Sequence, residues 1–247
     1  MFMFPTSRTN ISTSLTSDLT GRSRILTAFL MTILLSSSWA WGHSTLIERI
    51  QKTQNSIVTV QTELTKIMHT SPPRSATFQR TGAGLIIDPS GIIVTNTHII
   101  INAPFIFVIL KDGTKLPAQV LFASGNYDFS FLRIQPPYHL QSVKWADSSR
   151  IAIGDPIIAI GNADFDLKSI LSGHIKSIIQ SVSTGTNDFL ELDLDLYRGD
   201  SGGPVLDDQG RLLGLIMGQR ESQQNSSIAI AANKIHQQYL QYKRNLP

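Results

Sequence analysis

The stretch GAGLIIDPSGIIVT, residues 82–95, begins the strongly β part of this chain. Its two apolar runs, residues 85–87 and 92–94, are rich in β-branched residues and flank DPSG, whose residue types favour a tight turn. This pattern predicts a β-hairpin. Short runs of the same kind recur at residues 56–62, 106–110, 115–122, 129–134, 156–160, 173–179, 189–196, 204–206, 212–217 and 227–230. Many short strands with regular turn signals predict an all-β protein of the barrel or sandwich type.

Helices and connections complete the predicted organisation. Apolar residues recur with helical spacing in residues 45–54 and again in a closing helix at about 232–243. Residues 68–79, which contain two adjacent prolines, are expected to be a loop. The least strand-like middle stretch, residues 136–150, would divide two similar six-stranded halves. These halves are a first barrel at about 55–137 and a second barrel at about 150–231.

Residues 1–42 are predicted to direct export. Two arginines precede an apolar run, residues 25–35, that is short for a membrane span and has the length of a signal-peptide core. Small residues at positions 38 and 40 suit cleavage. Cleavage would leave a periplasmic or secreted domain of residues 43–247. Failure to cleave would leave a membrane anchor through residues 25–41.

The charge and the metal-binding residue types exclude several classes of function. The net charge is +3, but residues 1–40 hold three of the 21 basic and one of the 18 acidic side chains, which leaves 18 and 17 in the remainder. No dense basic run follows, so a nucleic-acid partner is not expected. The chain has no cysteine, and its six histidines lack the HExxH spacing of zinc enzymes. Neither a metal nor another cofactor is therefore expected.

Three short segments together indicate nucleophilic catalysis: residues 95–98 (TNTH), 126–129 (NYDF) and 199–204 (GDSGGP). A serine hydroxyl is a weak nucleophile until an imidazole removes its proton, and that imidazole needs a carboxylate on its other nitrogen. The glycines that flank Ser201 permit a tight turn with inward-pointing amides. Gly199, Asp200 and Ser201 are therefore the predicted oxyanion hole.

These segments resemble the chymotrypsin-fold serine peptidases, and most of all their HtrA/Deg branch. Motifs similar to the family's lie in the family's order at residues 82–87 (GAGLII), 93–98 (IVTNTH), 128–134 (DFSFLRI), 154–162 (GDPIIAIGN) and 199–204 (GDSGGP). The resemblance extends from about Ile57 to Ile230. It implies two six-stranded antiparallel β-barrels with the site in the cleft between them. Asp200 departs from the HtrA pattern, in which an asparagine precedes the serine.

The resemblance implies a serine endopeptidase that cuts exported or misfolded proteins. His98 would be the general base and acid, Asp128 would orient it, and Ser201 would attack the scissile carbonyl. A homotrimer is also implied, whereas no PDZ domain is expected in the 46 residues that follow Ser201 up to residue 247. A catalytically dormant peptide-binding or chaperone-like module on the same fold stays open, because the sequence does not reveal how the catalytic loop is arranged.

Substrate preference depends on the segment before the serine. Asp193 and Asp195 alternate with leucines, so the two carboxylates are expected on one strand face. Asp195 takes the place of the basic-specific aspartate of trypsin-like relatives, which suggests a pocket for Lys or Arg. The alternative is a solvated acidic face. By resemblance, residues 214–218 would form the substrate-facing strand, with Met217 and Gly218 beside the pocket.

Overall fold

The N-terminal half is a curled antiparallel sheet. The computed structural model describes residues 45–68, 74–161, 170–181, 185–197, 199–219 and 226–245. Helix α1 (Leu46–Gln54) begins with a reciprocal capping box between Thr45 and Glu48. Seven strands and one short helix follow: β1 (Ile57–Met68), β2 (Arg74–Asp88), β3 (Ile92–Thr95), α2 (Thr97–Ile100), β4 (Phe105–Ile109), β5 (Lys115–Pro117), β6 (Gln119–Ala123) and β7 (Ser130–Arg133). They pair in the order β5-β4-β1-β2-β3-β7-β6.

The C-terminal half is a closed barrel covered by a helix. A 3₁₀ turn at Ser148–Arg150 leads into β8 (Pro156–Ile160), β9 (Ile170–Gln180), β10 (Asn187–Leu192), β11 (Pro204–Leu206), β12 (Leu212–Gln219) and β13 (Ser227–Ala231). These strands close in the order β10-β13-β12-β11-β8-β9. Helix α3 (Ala232–Arg244) then runs back across the molecule and buries Ile235 and Tyr239.

The prediction of two closed six-stranded barrels is right for the second half and wrong for the first. The first sheet has seven strands, and no ladder joins its edge strands β5 and β6 among the described residues. These two edges follow one another in the chain and are separated by Ala118, whose amide donates to Ile106 O. Pro117, the last residue of β5, has no amide hydrogen with which to extend a ladder.

The predicted loop at residues 68–79 is also wrong in most of its length. Strand β2 begins at Arg74 and pairs with β1 along twelve residues, from Ile57–Leu85 to Met68–Arg74. The prolines lie in residues 69–73, outside the described residues. The hairpin predicted at residues 85–94 is confirmed, with Gly91 at φ 96° in its turn.

Three apolar clusters hold these elements together, and the largest one joins the two halves. It packs Phe129 and Phe131 of the first sheet against Ile160 and Ile230 of the barrel and Tyr239 of α3. Each fully buried side chain of this kind contributes about 1.5–3 kcal/mol relative to an exposed one. The joint between the halves is therefore a packed core.

Residues 1–44 lie outside the described residues, and the predicted signal peptide and anchor lie with them. Within the part of the chain that is described, no helix combines the length and the apolar composition that crossing a bilayer requires.

Candidate active site

Sheet pairing brings His98 and Asp128 together although 30 residues separate them. Thr95 at the end of β3 pairs with Ser130 at the start of β7, so the segments beyond these two strand ends lie side by side. His98 stands in α2 directly after β3, and Asp128 stands just before β7. The side-chain Nδ2 of Asn96 donates to Asp128 O at 2.8 Å, which ties the two segments to each other.

Asp128 contacts His98 twice. His98 Nδ1 lies 2.5 Å from Asp128 Oδ2, and the His98 backbone amide donates to Asp128 Oδ1 at 2.9 Å. The His98 side chain is 50% exposed and that of Asp128 24%, so Nδ1 is covered while the ring edge faces solvent. The two contacts fix the orientation of the imidazole and place its Nδ1 proton on the carboxylate side.

Two residues that the sequence analysis missed hold the short helix α2. Arg80 donates from Nη1 to His98 O at 2.7 Å and from Nη2 to Ile101 O at 2.8 Å. Thr62 donates from its buried hydroxyl to Ile99 O at 3.2 Å. These groups bind carbonyls at the end of the helix and at the residue that follows it, where the helix itself supplies no partner. No local motif marks them, because each acts from a neighbouring strand.

The serine turn docks against the first sheet. The amide of Ala83 donates to Ser201 O at 2.8 Å, and the amide of Gly202 donates to Ile216 O at 2.9 Å. Gly202 has φ 84°, and a Cβ there would overlap Ala83 O. Only glycine satisfies both the positive φ and this close approach.

Gly82 of β2 lies between the serine turn and the helix that carries His98. A Cβ at Gly82 would lie 3.1 Å from both Ser201 O and Ile99 Cγ1. Ser201 O and the side chain of Ile99, the residue after His98, therefore both lie beside Gly82. The Ser201 hydroxyl donates to Met217 O at 3.2 Å, and no hydrogen bond joins it to His98 within the described residues.

Two backbone amides near Ser201 are available to a ligand. Among the described residues, the amides of Gly199 and Ser201 donate to no acceptor, and Gly199 has φ 102°. Asp200 also belongs to the predicted oxyanion hole, and its amide donates to Tyr197 O at 3.1 Å. Its fully buried carboxylate accepts the amide of Tyr197 at 2.8 Å. Asp200 thus stabilises the turn, because its amide donates to Tyr197 O and its carboxylate accepts the amide hydrogen of Tyr197.

The predicted specificity residues lie on two different segments. Strand β10 ends at Leu192, but the alternation continues, with Leu194 and Leu196 buried and Asp193 and Asp195 exposed. An exposed Asp195 fits the hypothesis of a solvated acidic face more directly than that of a pocket floor. Arg198 and residues 220–225 lie outside the described residues.

Met217 stands at an irregularity of strand β12. The register with β13 shifts between Ile216 and Gly218, so Met217 lies at a bulge beside Ser201.

Within the described residues, no three His, Cys, Asp or Glu side chains cluster in a way that would hold a metal ion.

Comparison with known proteins places the chain in a family. The family model described as the trypsin-like peptidase domain matches residues 82–215, more than half of the chain. The periplasmic serine endoprotease DegP of Escherichia coli strain K12 is 35% identical over 141 residues, which are 56% of this chain and 30% of that protein. A probable periplasmic serine endoprotease DegP-like of Bartonella henselae is 32% identical over 135 residues, or 54% of this chain and 27% of the relative.

The fold has a close match among solved structures. A variant of the HtrA-type protease AlgW, solved with a decapeptide, aligns with TM-score 0.70 and 21% identity, covering 80% of this chain and 67% of that one. The chain spans about 30% of the length of DegP. On the family match and these likenesses, the chain belongs to the trypsin-like peptidase family and, within it, resembles the HtrA and DegP proteases.

Proposed function

We propose that this chain is a serine endopeptidase that uses Ser201 as nucleophile, His98 as general base and acid, and Asp128 to orient His98. The observation that carries the proposal is the double contact of Asp128 with His98, at 2.5 and 2.9 Å, next to a serine turn with two free amides. A base with a fixed tautomer, a nucleophile and a pair of oxyanion donors are the parts that acyl transfer needs.

The reaction begins with a rotation of the serine side chain. The hydroxyl that donates to Met217 O must turn toward His98 Nε2, which takes its proton as Oγ attacks the carbonyl carbon. The rotation also frees Met217 O to accept an amide hydrogen from an extended peptide. Asp128 stabilises the imidazolium that forms, since its carboxylate already lies against Nδ1.

The amides of Gly199 and Ser201 would bind the developing oxyanion. They are preorganised by the turn, so little reorganisation accompanies the charge. The imidazolium then passes its proton to the leaving amine, which leaves an acyl-enzyme on Ser201. A water molecule, deprotonated by His98, repeats the attack and releases the acid.

Polypeptide substrates and an exported, periplasmic location are part of the proposal. They are supported by DegP and its relatives, which are named periplasmic serine endoproteases. Assembly as a homotrimer, an anchor through residues 25–41 and a pocket at Asp195 stay predictions.

The test compares the full chain with its Ser201→Ala variant, using unfolded casein as substrate and a fluorophosphonate probe as label. If the triad works as a unit, the variant loses on the order of 10⁶ in turnover and takes up no probe. A folded parent that neither cuts casein nor takes up the probe would refute the proposal. That result would instead favour the dormant peptide-binding module.

A further inference from the structure

A buried ion cluster lies next to the proposed triad and takes no part in the chemistry described above. Asp188 of β10 is fully buried, and Lys234 in the first turn of α3 is 9% exposed. Lys234 Nζ lies 3.0 Å from Asp188 Oδ1. Thr186 donates its hydroxyl to Asp188 Oδ1 at 2.6 Å, and Tyr127 donates its hydroxyl to Asp188 Oδ2 at 2.6 Å. Both carboxylate oxygens therefore have partners.

Both members of the ion pair are charged at neutral pH. Burial raises the pKa of Asp188, but the hydrogen bonds from Thr186, Tyr127 and Lys234 outweigh it and hold that pKa below its ordinary value. Burial lowers the pKa of Lys234, and the contacts with Tyr127 and Asp188 reverse this, so its pKa is raised. Buried ion pairs are a weak source of stability, because desolvation costs about as much as the attraction returns. Such a cluster is better suited to defining a geometry.

The cluster joins three separate parts of the chain at one tyrosine. Tyr127 precedes β7 of the first sheet, whereas Asp188 belongs to the barrel and Lys234 to the closing helix. The Tyr127 ring packs against Phe189 with centroids 5.9 Å apart, and Lys234 Nζ lies 5.1 Å from its centroid. The position of Tyr127 is thus set by the second half of the molecule.

Tyr127 in turn determines the backbone of Asp128. The amide of Phe129 donates to Tyr127 O at 2.9 Å, which closes a three-residue turn with Asp128 at its centre. The amide of Tyr127 donates to Ser124 Oγ at 3.2 Å. In a turn this short, a displacement of the first residue moves the Cα–Cβ bond of the middle one.

We propose that the Tyr127–Asp188–Lys234 cluster positions the Asp128 carboxylate against His98. The barrel and the closing helix hold Tyr127 through Asp188, and Tyr127 holds the turn that carries Asp128. Tyr127 is thus a positioning residue. The inference rests on the proposed function, since it gives Asp128 the role of orienting the catalytic base. It also means that the alignment of base and orienter in the first sheet depends on correct docking of the second half.

The test variant is Tyr127→Phe in the full chain, which removes one hydroxyl and leaves Asp188 paired with Lys234 and Thr186. The matched control is Tyr239→Phe, because Tyr239 also donates from α3 across the joint to a carboxylate, Asp88 Oδ2, at 2.5 Å. Both variants lose one part-buried tyrosine–aspartate hydrogen bond. Only Tyr127 adjoins a triad residue in the chain.

Two readouts separate positioning from stability. In casein hydrolysis, Tyr127→Phe is expected to lower kcat about tenfold or more with little change in KM, while Tyr239→Phe leaves kcat unchanged. The second readout is the low-field proton resonance of the short His98–Asp128 hydrogen bond, recorded in a Ser201→Ala background. It is expected to weaken or shift upfield in Tyr127→Phe alone.

The resonance decides the inference even if hydrolysis fails. If the parent does not cut casein or take up the fluorophosphonate probe, the proposed function falls, and the effect of Tyr127→Phe on the resonance still tests positioning. Equal effects of the two tyrosine variants on kcat and on the resonance would overturn the inference. So would the absence of a low-field proton from the parent.

Discussion

Replacing Asp128 by asparagine tests the catalytic role of the His98–Asp128 contact with almost no change of shape. The His98 backbone amide donates at 2.9 Å to Asp128 Oδ1, so an asparagine must place its carbonyl oxygen there. Its NH₂ group then faces His98 Nδ1, where Asp128 Oδ2 now lies at 2.5 Å. Nδ1 becomes an acceptor, and the ring proton moves to Nε2, the nitrogen that must accept the proton of Ser201.

The wrong tautomer is expected to lower kcat about 10⁴-fold. This loss corresponds to about 5.5 kcal/mol of activation free energy, since each tenfold change is about 1.4 kcal/mol. The assay is hydrolysis of an unfolded protein under saturating substrate, with the unfolding temperature measured in parallel. A variant that keeps more than about a tenth of the parental kcat would refute the mechanism, because that loss is far below the loss expected of a wrong tautomer.

The barrel contains a matched control for this experiment. Asp193 contacts His174 in the same way, with the His174 amide donating to Oδ1 at 2.5 Å and Nδ1 lying 3.3 Å from Oδ2. Asp193→Asn therefore makes the same local change at a pair that has no assigned role. We expect parental kcat in this variant. A loss as large as that of Asp128→Asn would show that the assay reports general damage.

Three further predictions concern the helix, the specificity pocket and acid stability. Arg80→Ala removes both hydrogen bonds to the end of α2 and is expected to lower kcat about tenfold to a hundredfold. Arg80→Lys is expected to restore only part of that kcat, because lysine cannot donate to both carbonyls with the geometry of a guanidinium. Steady-state kinetics of both variants checks this. If Asp195 forms a pocket for basic side chains, Asp195→Ala reduces cleavage after Lys or Arg relative to Val or Ala in mass-spectrometric mapping, and unchanged ratios favour the solvated face. Hydrogen bonds from Ser149 and then Asn233 lower the pKa of Asp147 to about 2. Its contribution to stability is therefore present above its unfolded value of about 4 and lost as the pH falls toward 2, and urea unfolding of Asp147→Asn should lack that part of the pH dependence.

Local features of the fold could be read from the sequence. The hairpin at residues 82–95, the first helix and the closing helix follow from short-range patterns of apolar, turn and capping residues. The open seven-stranded sheet could not be predicted in this way. The order of its strands, and the fact that β5 and β6 form its edges, depend on pairing between residues far apart in the chain. The prediction of a loop over residues 74–79 is wrong for the same reason, since only their pairing with β1 identifies them as a strand.

The candidate site likewise contains residues that the sequence identifies and residues that only the structure identifies. His98, Asp128 and Ser201 lie in motifs whose residue types express the chemistry, so they could be named from the sequence alone. The sequence does not tell which amides a turn uses for its own hydrogen bonds, as the amide of Asp200 does with Tyr197 O. Arg80 and Lys234 carry no motif, and each acquires a role only through partners distant in the chain or on another element.

The proposed chemistry can be read from residue types and short spacings, which supply a candidate nucleophile, a base, an orienting carboxylate and a glycine turn. How these groups are held depends on the tertiary structure. The contact between His98 and Asp128 depends on the pairing of β3 with β7. The position of the Tyr127 side chain depends on the ion pair between Asp188 of the barrel and Lys234 of the closing helix. Such alignments are sums of many long-range contacts, and no local pattern of residues encodes them.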